Sequence, residues 1–423
     1  MPKEFYHRNE HSLKWQDWVS CLSCLLMLGG MVFSRLLLSV GMILLFLNAL
    51  HPNQIKECWQ KFKASRFAWA SLSFFIAYLI SGFWSEDKSS WLSVIQTKLP
   101  FLFFPFAMFS LPLKNNKWLK IVGFGLFIFL LGGMCYSFYF AIFQPDSISA
   151  IGHMPSPMEG DYIRFTIVIV LALMFFVFFI NNSNQLKLPK AVAGLLIVWA
   201  LIAVAYIHIQ AAKSGIVAFS ILSVAFILDY GIRQKKFGAM IIYLGLFAAG
   251  EYAFSKTPSV STQINRFTDE KKVIEIPNDT AVANQTGSVI LRLNSYKVAS
   301  KIIKQHPVAG VGAGDVKQEM DKLYVRDFPK LNVDARIIPH NEFLCGAMAI
   351  GIVLSLLTLI PMVFFPWLEK NNSRSIYFIT TWVILLFGLM IEPMLEVQFG
   401  IFVFLFFIYL WTDIPINKSN VSP

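Results

Sequence analysis

Ile163-Arg-Phe-Thr-Ile-Val-Ile-Val-Leu-Ala-Leu-Met-Phe-Phe-Val-Phe-Phe-Ile-Asn181 decides the fold class. From Phe165 to Ile180 it carries no charge and one hydroxyl, Thr166. It is apolar on every side rather than along one stripe, so it needs apolar surroundings all round. A bilayer core of ~30 Å takes about 20 such residues as a helix.

Similar runs recur in both directions. Spans are expected near 16–33, 36–50, 67–84, 93–111, 118–143, 163–181, 190–208, 214–229, 237–254, 343–366, 376–391 and 396–412. The chain therefore reads as an all-α polytopic membrane protein of about twelve transmembrane helices. Composition agrees: 56% of its 423 residues are apolar and 14% charged, against roughly 25% charged in soluble domains. The net charge of +11 comes from basic residues scattered among apolar runs. They form no stripe, so no nucleic-acid partner is expected; membrane lipid is.

Basic residues also orient the chain. With the N-terminus in the cytoplasm, inside segments hold clusters such as Lys56, Lys61, Lys63 and Arg66, or Arg233, Lys235 and Lys236. The short outside segments hold only Arg35, Lys88, Lys98, Arg164 and Lys213. That asymmetry follows the positive-inside rule. Residues 1–254 then hold nine spans, 255–342 a large outer loop, 343–412 three more spans and 413–423 a cytoplasmic tail. Lys3, Arg8 and Lys14 precede the first run, and no small-residue cleavage site follows it, as in an uncleaved signal anchor. Cys21-x-x-Cys24 has redox spacing, but inside an apolar run it reads as two small packing residues. No His/Cys cluster has metal-ligand spacing, so neither metal nor cofactor is expected.

The 88-residue loop is far longer than a connection requires. Residues 255–287 read as irregular. Within 288–305, Val289, Leu293, Tyr296, Ala299 and Ile303 recur at helical spacing, giving an amphipathic helix stopped by His306-Pro307. Gly310, Gly312 and Gly314 then permit a tight turn or close backbone approach. No Gly-Lys-Ser/Thr follows, which excludes a nucleotide phosphate loop. A second short helix is expected over 316–326. Asn341 is a candidate N-cap for the next span, whose N-terminus would favour an anion.

Arg292, then His306-Pro307-Val-Ala-Gly310-Val-Gly312, then His340-Asn341-Glu-Phe-Leu344 resembles the O-antigen ligase and polymerase superfamily, most closely the ligases. The likeness covers about 60 residues, besides the span layout. It implies a membrane-embedded glycosyltransferase with a periplasmic loop, in the bacterial inner membrane. The implied reaction moves a glycan from undecaprenyl diphosphate to an acceptor hydroxyl, in ligases that of lipid A–core, without nucleotide or metal. The chain is expected to act as a monomer.

The resemblance implies His340 as general base toward the acceptor hydroxyl. Read without it, His340 is an interfacial histidine that packs or caps a helix. Arg292 becomes the leading diphosphate ligand, since guanidinium contacts phosphate bidentately; otherwise it lies on a solvated helix face. Lys213, in Gln210-Ala-Ala-Lys213-Ser214-Gly215, stands where the family usually has Arg. It keeps the charge without the fork, or simply snorkels. Arg164 could bind diphosphate from the opposite wall or pair with Asp161 or Glu159. Asn341 and Arg336 complete the candidate binding set. Glu392 and Glu396 read as a solvated turn. The same donor machinery would serve an O-antigen polymerase or a protein O-oligosaccharyltransferase. A transporter or lipid flippase is the alternative of another class, but it would place charge near the midplane.

Overall fold

The computed structural model describes residues 15–144, 153–157, 161–257, 260, 261, 265, 288–369 and 375–414. Among these the chain is helical throughout, with no strand. Residues 266–287, within the stretch expected to be irregular, and most of the C-terminal tail lie outside them.

The helices in chain order are α1 (Trp15–Phe33), α2 (Arg35–Ala49), α3 (Pro52–Ala64), α4 (Arg66–Ile80), α5 (Lys88–Lys98), α6 (Pro100–Met108), α7 (Asn116–Phe143), α8 (Tyr162–Asn181) and α9 (Lys190–Gln210). They continue with α10 (Lys213–Arg233), α11 (Phe237–Ser255), α12 (Ser288–Gln305), α13 (Val316–Asp327), α14 (Glu342–Ile350), α15 (Ile352–Phe364), α16 (Ile376–Ile391) and α17 (Gln398–Asp413). Eight segments are long and apolar enough to cross a bilayer. The other four of the twelve expected spans coincide with shorter apolar helices. One of these is α2, from which α3 turns away by 98°.

Two helices form the centre. α8 is buried from Phe165 to Phe175, and α17 from Phe399 to Trp411. Their lack of an amphipathic stripe is explained by protein on every side. At the other extreme, α11 buries no residue and packs on α10. Arg35 begins α2 directly after the one-residue break at Ser34, whose hydroxyl accepts from Leu37 N at 3.4 Å.

The expected span 343–366 is not one helix. It breaks at Gly351 (φ +80°). The Pro307–Gly312 segment enters this break and supplies the missing backbone partners. Val311 N donates to Met348 O at 2.8 Å, Gly312 N to Ala349 O at 3.1 Å and Ile352 N to Pro307 O at 2.9 Å. Irregular backbone is tolerated at such depth only when protein satisfies it. Gly310 sits at φ +67°, and a Cβ there would run into Met348 O. These glycines thus serve close approach rather than ligand contact.

The loop is docked at two further points. Asp315 is buried and accepts from Glu86 N (2.7 Å) and Asp87 N (2.8 Å) before α5. Helices α12 and α13 share a small core with α14, built from Val298, Ala299, Ile302, Met320, Tyr324 and Met348. The inward face of α12 therefore runs through Ser295, Val298, Ala299 and Ile302, and Leu293 is exposed. This is rotated from the face expected at Val289 and Leu293, because α12 packs on α13 and α14 together.

Gly310→Val should lower stability by about 1–3 kcal/mol, the usual cost of holding an L-residue in such backbone. Thermal unfolding in detergent measures it, with Gly245→Ala on the open face of α11 as a near-neutral control. Equal melting points for the two would contradict the docking role.

Candidate functional site

The site is built where α8, α12, α14 and α16 meet at the end of the bundle that carries the loop. Asn341 caps α14: its Oδ1 accepts from Leu344 N at 3.1 Å, and its Nδ2 donates to Met390 O at 3.1 Å. The Cys345 thiol donates to Pro339 O at 3.3 Å, holding the extended approach to the helix. These bonds fix the backbone on both sides of His340.

Glu392 ends α16 and is buried. Its Oε1 accepts from Arg292 Nη2 at 2.8 Å and from His340 Nδ1 at 2.9 Å. Its Oε2 faces Arg164 Nη2 at 3.8 Å. An ionised carboxylate only accepts, so the Nδ1 proton of His340 faces Glu392. A neutral ring then keeps its lone pair on Nε2. That is the arrangement of a base oriented by a third group. The His340 side chain keeps 23% exposure and Arg292 27%, so both reach solvent while Glu392 does not.

Tyr296, one turn along α12 from Arg292, donates its hydroxyl to His340 O at 2.9 Å. Burial pushes this phenol above its usual range, the Arg292 charge opposes that rise, and Glu392 adds to it. The donor therefore stays protonated, and one helix face carries both the guanidinium and the clamp on the histidine backbone.

Of the six expected site residues, three meet on Glu392: Arg292, His340 and Arg164. Arg164 is nearly buried and already engaged, pairing with Asp161 through Nη1 and donating from Nη2 to Pro393 O at 3.3 Å. It organises the wall more than it offers a free fork. Asn341 spends both ends of its side chain on capping and on α16. Arg336 donates to Leu331 O at 3.3 Å within its own loop and does not join the cluster. Lys213 heads α10 with an exposed side chain. Its helix starts at the same end, since Gly215 lies against Thr166 of α8.

Glu392 was expected in a solvated turn, and this is a correction. Its neighbour Glu396 also departs from that reading. Glu396 pairs at 2.9 Å with Lys98, whose side chain is wholly buried at the end of α5 rather than in an outer loop. Lys98 Nζ also donates to Leu395 O at 3.0 Å, while Leu395 N donates to Glu342 Oε2 at 2.9 Å. Buried Lys98 and Glu342 thus grip the two backbone groups of one residue in the turn that follows Glu392. Nothing local in the sequence marked Glu392-Pro393 as a buried anion.

Residues 201–359 match the family model described as O-antigen ligase. The matched stretch contains Lys213, Arg292, the His306–Gly312 segment and His340, but neither Arg164 nor Glu392. No curated protein matches the chain. The likeness to the O-antigen ligase superfamily thus holds over this segment, and it supports a glycosyltransferase-type enzyme of O-antigen processing in a multi-pass membrane protein.

Lys98→Met should lower stability by about 3 kcal/mol, because it strands a partly buried carboxylate. Adding Glu396→Gln should recover part of that loss. Thermal unfolding of both variants decides it, and a further fall in the double variant would contradict the pairing.

Proposed function

We propose that the chain transfers a glycan from undecaprenyl diphosphate to an acceptor hydroxyl at the periplasmic face of the bacterial inner membrane, with lipid A–core as the acceptor. The observation that carries this reading is His340 Nδ1 held on buried Glu392, with Arg292 on the same oxygen.

In this reading Nε2 of His340 takes the acceptor hydroxyl's proton as that oxygen bonds to the anomeric carbon. The bond from the anomeric carbon to the phosphate oxygen breaks, and undecaprenyl diphosphate leaves with the electron pair. Glu392 offsets the charge of the imidazolium that forms. Arg292, exposed on its outer side, receives the diphosphate, and Lys213 adds a point charge from the head of α10. The donor arrives activated, so cations rather than a nucleotide site suffice, and the reaction is metal-independent. The N- and C-termini lie in the cytoplasm, as the distribution of basic residues directs. The absence of a charge pathway through the described bundle centre, where α8 and α17 are apolar, weighs against passage of a polar substrate.

Deleting the gene and examining surface lipopolysaccharide together with undecaprenyl-linked glycan tests the reading. Loss of long chains from lipid A–core, with polymer left on the lipid carrier, is expected. Core capped by single units would assign a polymerase instead. Unchanged profiles in both pools, in a strain without a paralogue, would overturn glycan transfer.

His340→Ala should insert normally and reduce transfer about 10²–10⁴-fold, the usual contribution of a general base. Arg292→Lys should keep the charge yet raise the donor KM, since the fork is lost. Full complementation of the deletion by His340→Ala would remove that residue from the mechanism.

A further inference from the structure

A cavity of about 570 Å³ with a mixed polar and apolar lining opens beside this cluster, between α2, α5 and the start of α17. Its polar lining is Arg35, Ser93, Gln96, Thr97, Asp161 and Glu396. Ser39 and Gln398 form another part of its wall and are hydrogen-bonded to each other at 3.1 Å. Met42, Phe103 and Phe399 make the rest of the lining apolar. No residue of this cavity has a role in the transfer steps above.

Three observations define what it can hold. The first is Asp161, buried to 4% exposure, whose Oδ2 accepts no hydrogen bond and has Arg35 Nη2 3.6 Å away. A buried carboxylate oxygen left without a donor is costly, and a hydroxyl group would satisfy it. The second is the mixture of hydroxyl, amide and carboxylate groups, which matches the donors and acceptors of a sugar. Asp161 and Glu396 spend their charge on Arg164 and Lys98, so the cavity offers hydroxyl, amide and carboxylate groups rather than a cluster of cations for a diphosphate. The third is continuity. Asp161 takes Arg164 on its other oxygen, and Arg164 faces Glu392, which holds His340. The cavity thus connects to the proposed base through Arg164 and Glu392.

We infer that this cavity is the subsite for the sugar headgroup of the lipid-anchored acceptor, with its hydroxyls on Asp161, Gln96 and Thr97 and its hydrocarbon against Phe103. The inference rests on the proposed transfer reaction and extends it by separating acceptor from donor. Donor diphosphate takes the cationic side at Arg292, and acceptor sugar the carboxylate and amide side at Asp161. The apolar part of the wall would also accept a polyprenyl chain, so the decisive measurement compares the two lipids.

Ser93 lines the cavity, is exposed, and has no contact assigned to the sugar, so it makes a suitable reporter. Full-length protein carrying Ser93→Cys, with the exposed Cys135 changed by Cys135→Ser, is labelled in detergent with a water-soluble maleimide. Rough lipopolysaccharide, lacking O-antigen, should slow labelling at least fivefold, whereas undecaprenyl diphosphate should not. Adding Asp161→Asn should weaken that protection while the melting temperature stays within a few degrees. Protection by undecaprenyl diphosphate alone would assign the cavity to the donor and overturn the inference. So would equal labelling with and without either lipid. This readout does not depend on turnover. Protection without any transfer by the Cys135→Ser parent would sink the proposed reaction and leave the subsite standing.

Discussion

A charged carboxylate removed from water persists only where nearby groups return the solvation it has lost. Glu392 is such a group, and its position fixes the whole loop end of the bundle. Arg292 approaches from α12, Arg164 from α8, and His340 from the segment before α14. Each comes from a different part of the chain, and the cost of leaving any of them unmatched draws all three to one point. With Glu392 on Nδ1, a neutral ring keeps its lone pair on Nε2. The same contact therefore stabilises the fold and, in the proposed reaction, orients the ring as a base.

The remaining architecture serves to hold that carboxylate in register. Behind it, Lys98 and Glu342 grip the turn at Leu395 from opposite sides. In front, the broken helix at Gly351 receives the Pro307–Gly312 backbone, which anchors the C-terminal end of α12 to α14. Tyr296 links the middle of α12 to the backbone of His340. Asp315 ties the following stretch to the turn before α5. A long loop on a membrane bundle would ordinarily be free to move. Here its helical half is attached at these points, so in the proposed reaction Arg292 is held in place and loses little entropy on binding the diphosphate.

Much of this was legible in the sequence, for physical reasons that can be named. Long apolar runs must be spans, because lipid leaves few other options, and Phe165–Ile180 is one. Basic clusters such as Arg233, Lys235 and Lys236 mark the side opposite the loop. Arg292 and His340 stood out through the resemblance to the O-antigen ligases, and Arg164 as a cation at the outer start of a span. Glu392 did not stand out, since an acidic residue in a short turn is usually solvated, and its burial depends on partners 52 to 228 positions away. The break at Gly351 was hidden for a related reason: glycine is common in membrane helices, so Ala349-Ile-Gly351-Ile reads as continuous. Lys98 was misplaced because its counter-charge, Glu396, lies 298 residues on. The inward face of α12 was misjudged by a fraction of a turn because it meets two neighbours rather than one.

In the proposed division of labour the donor diphosphate meets Arg292 and the acceptor sugar the cavity beside Asp161, while Glu392 holds His340. The claim that Glu392 acts through His340 is tested most directly by a double-mutant cycle on the transfer rate, using His340→Ala, Glu392→Gln and both together in purified, folded protein. The account predicts strong non-additivity, with the double variant no slower than His340→Ala alone, because a carboxylate has no ring left to orient. Losses that multiply across the two substitutions would contradict it.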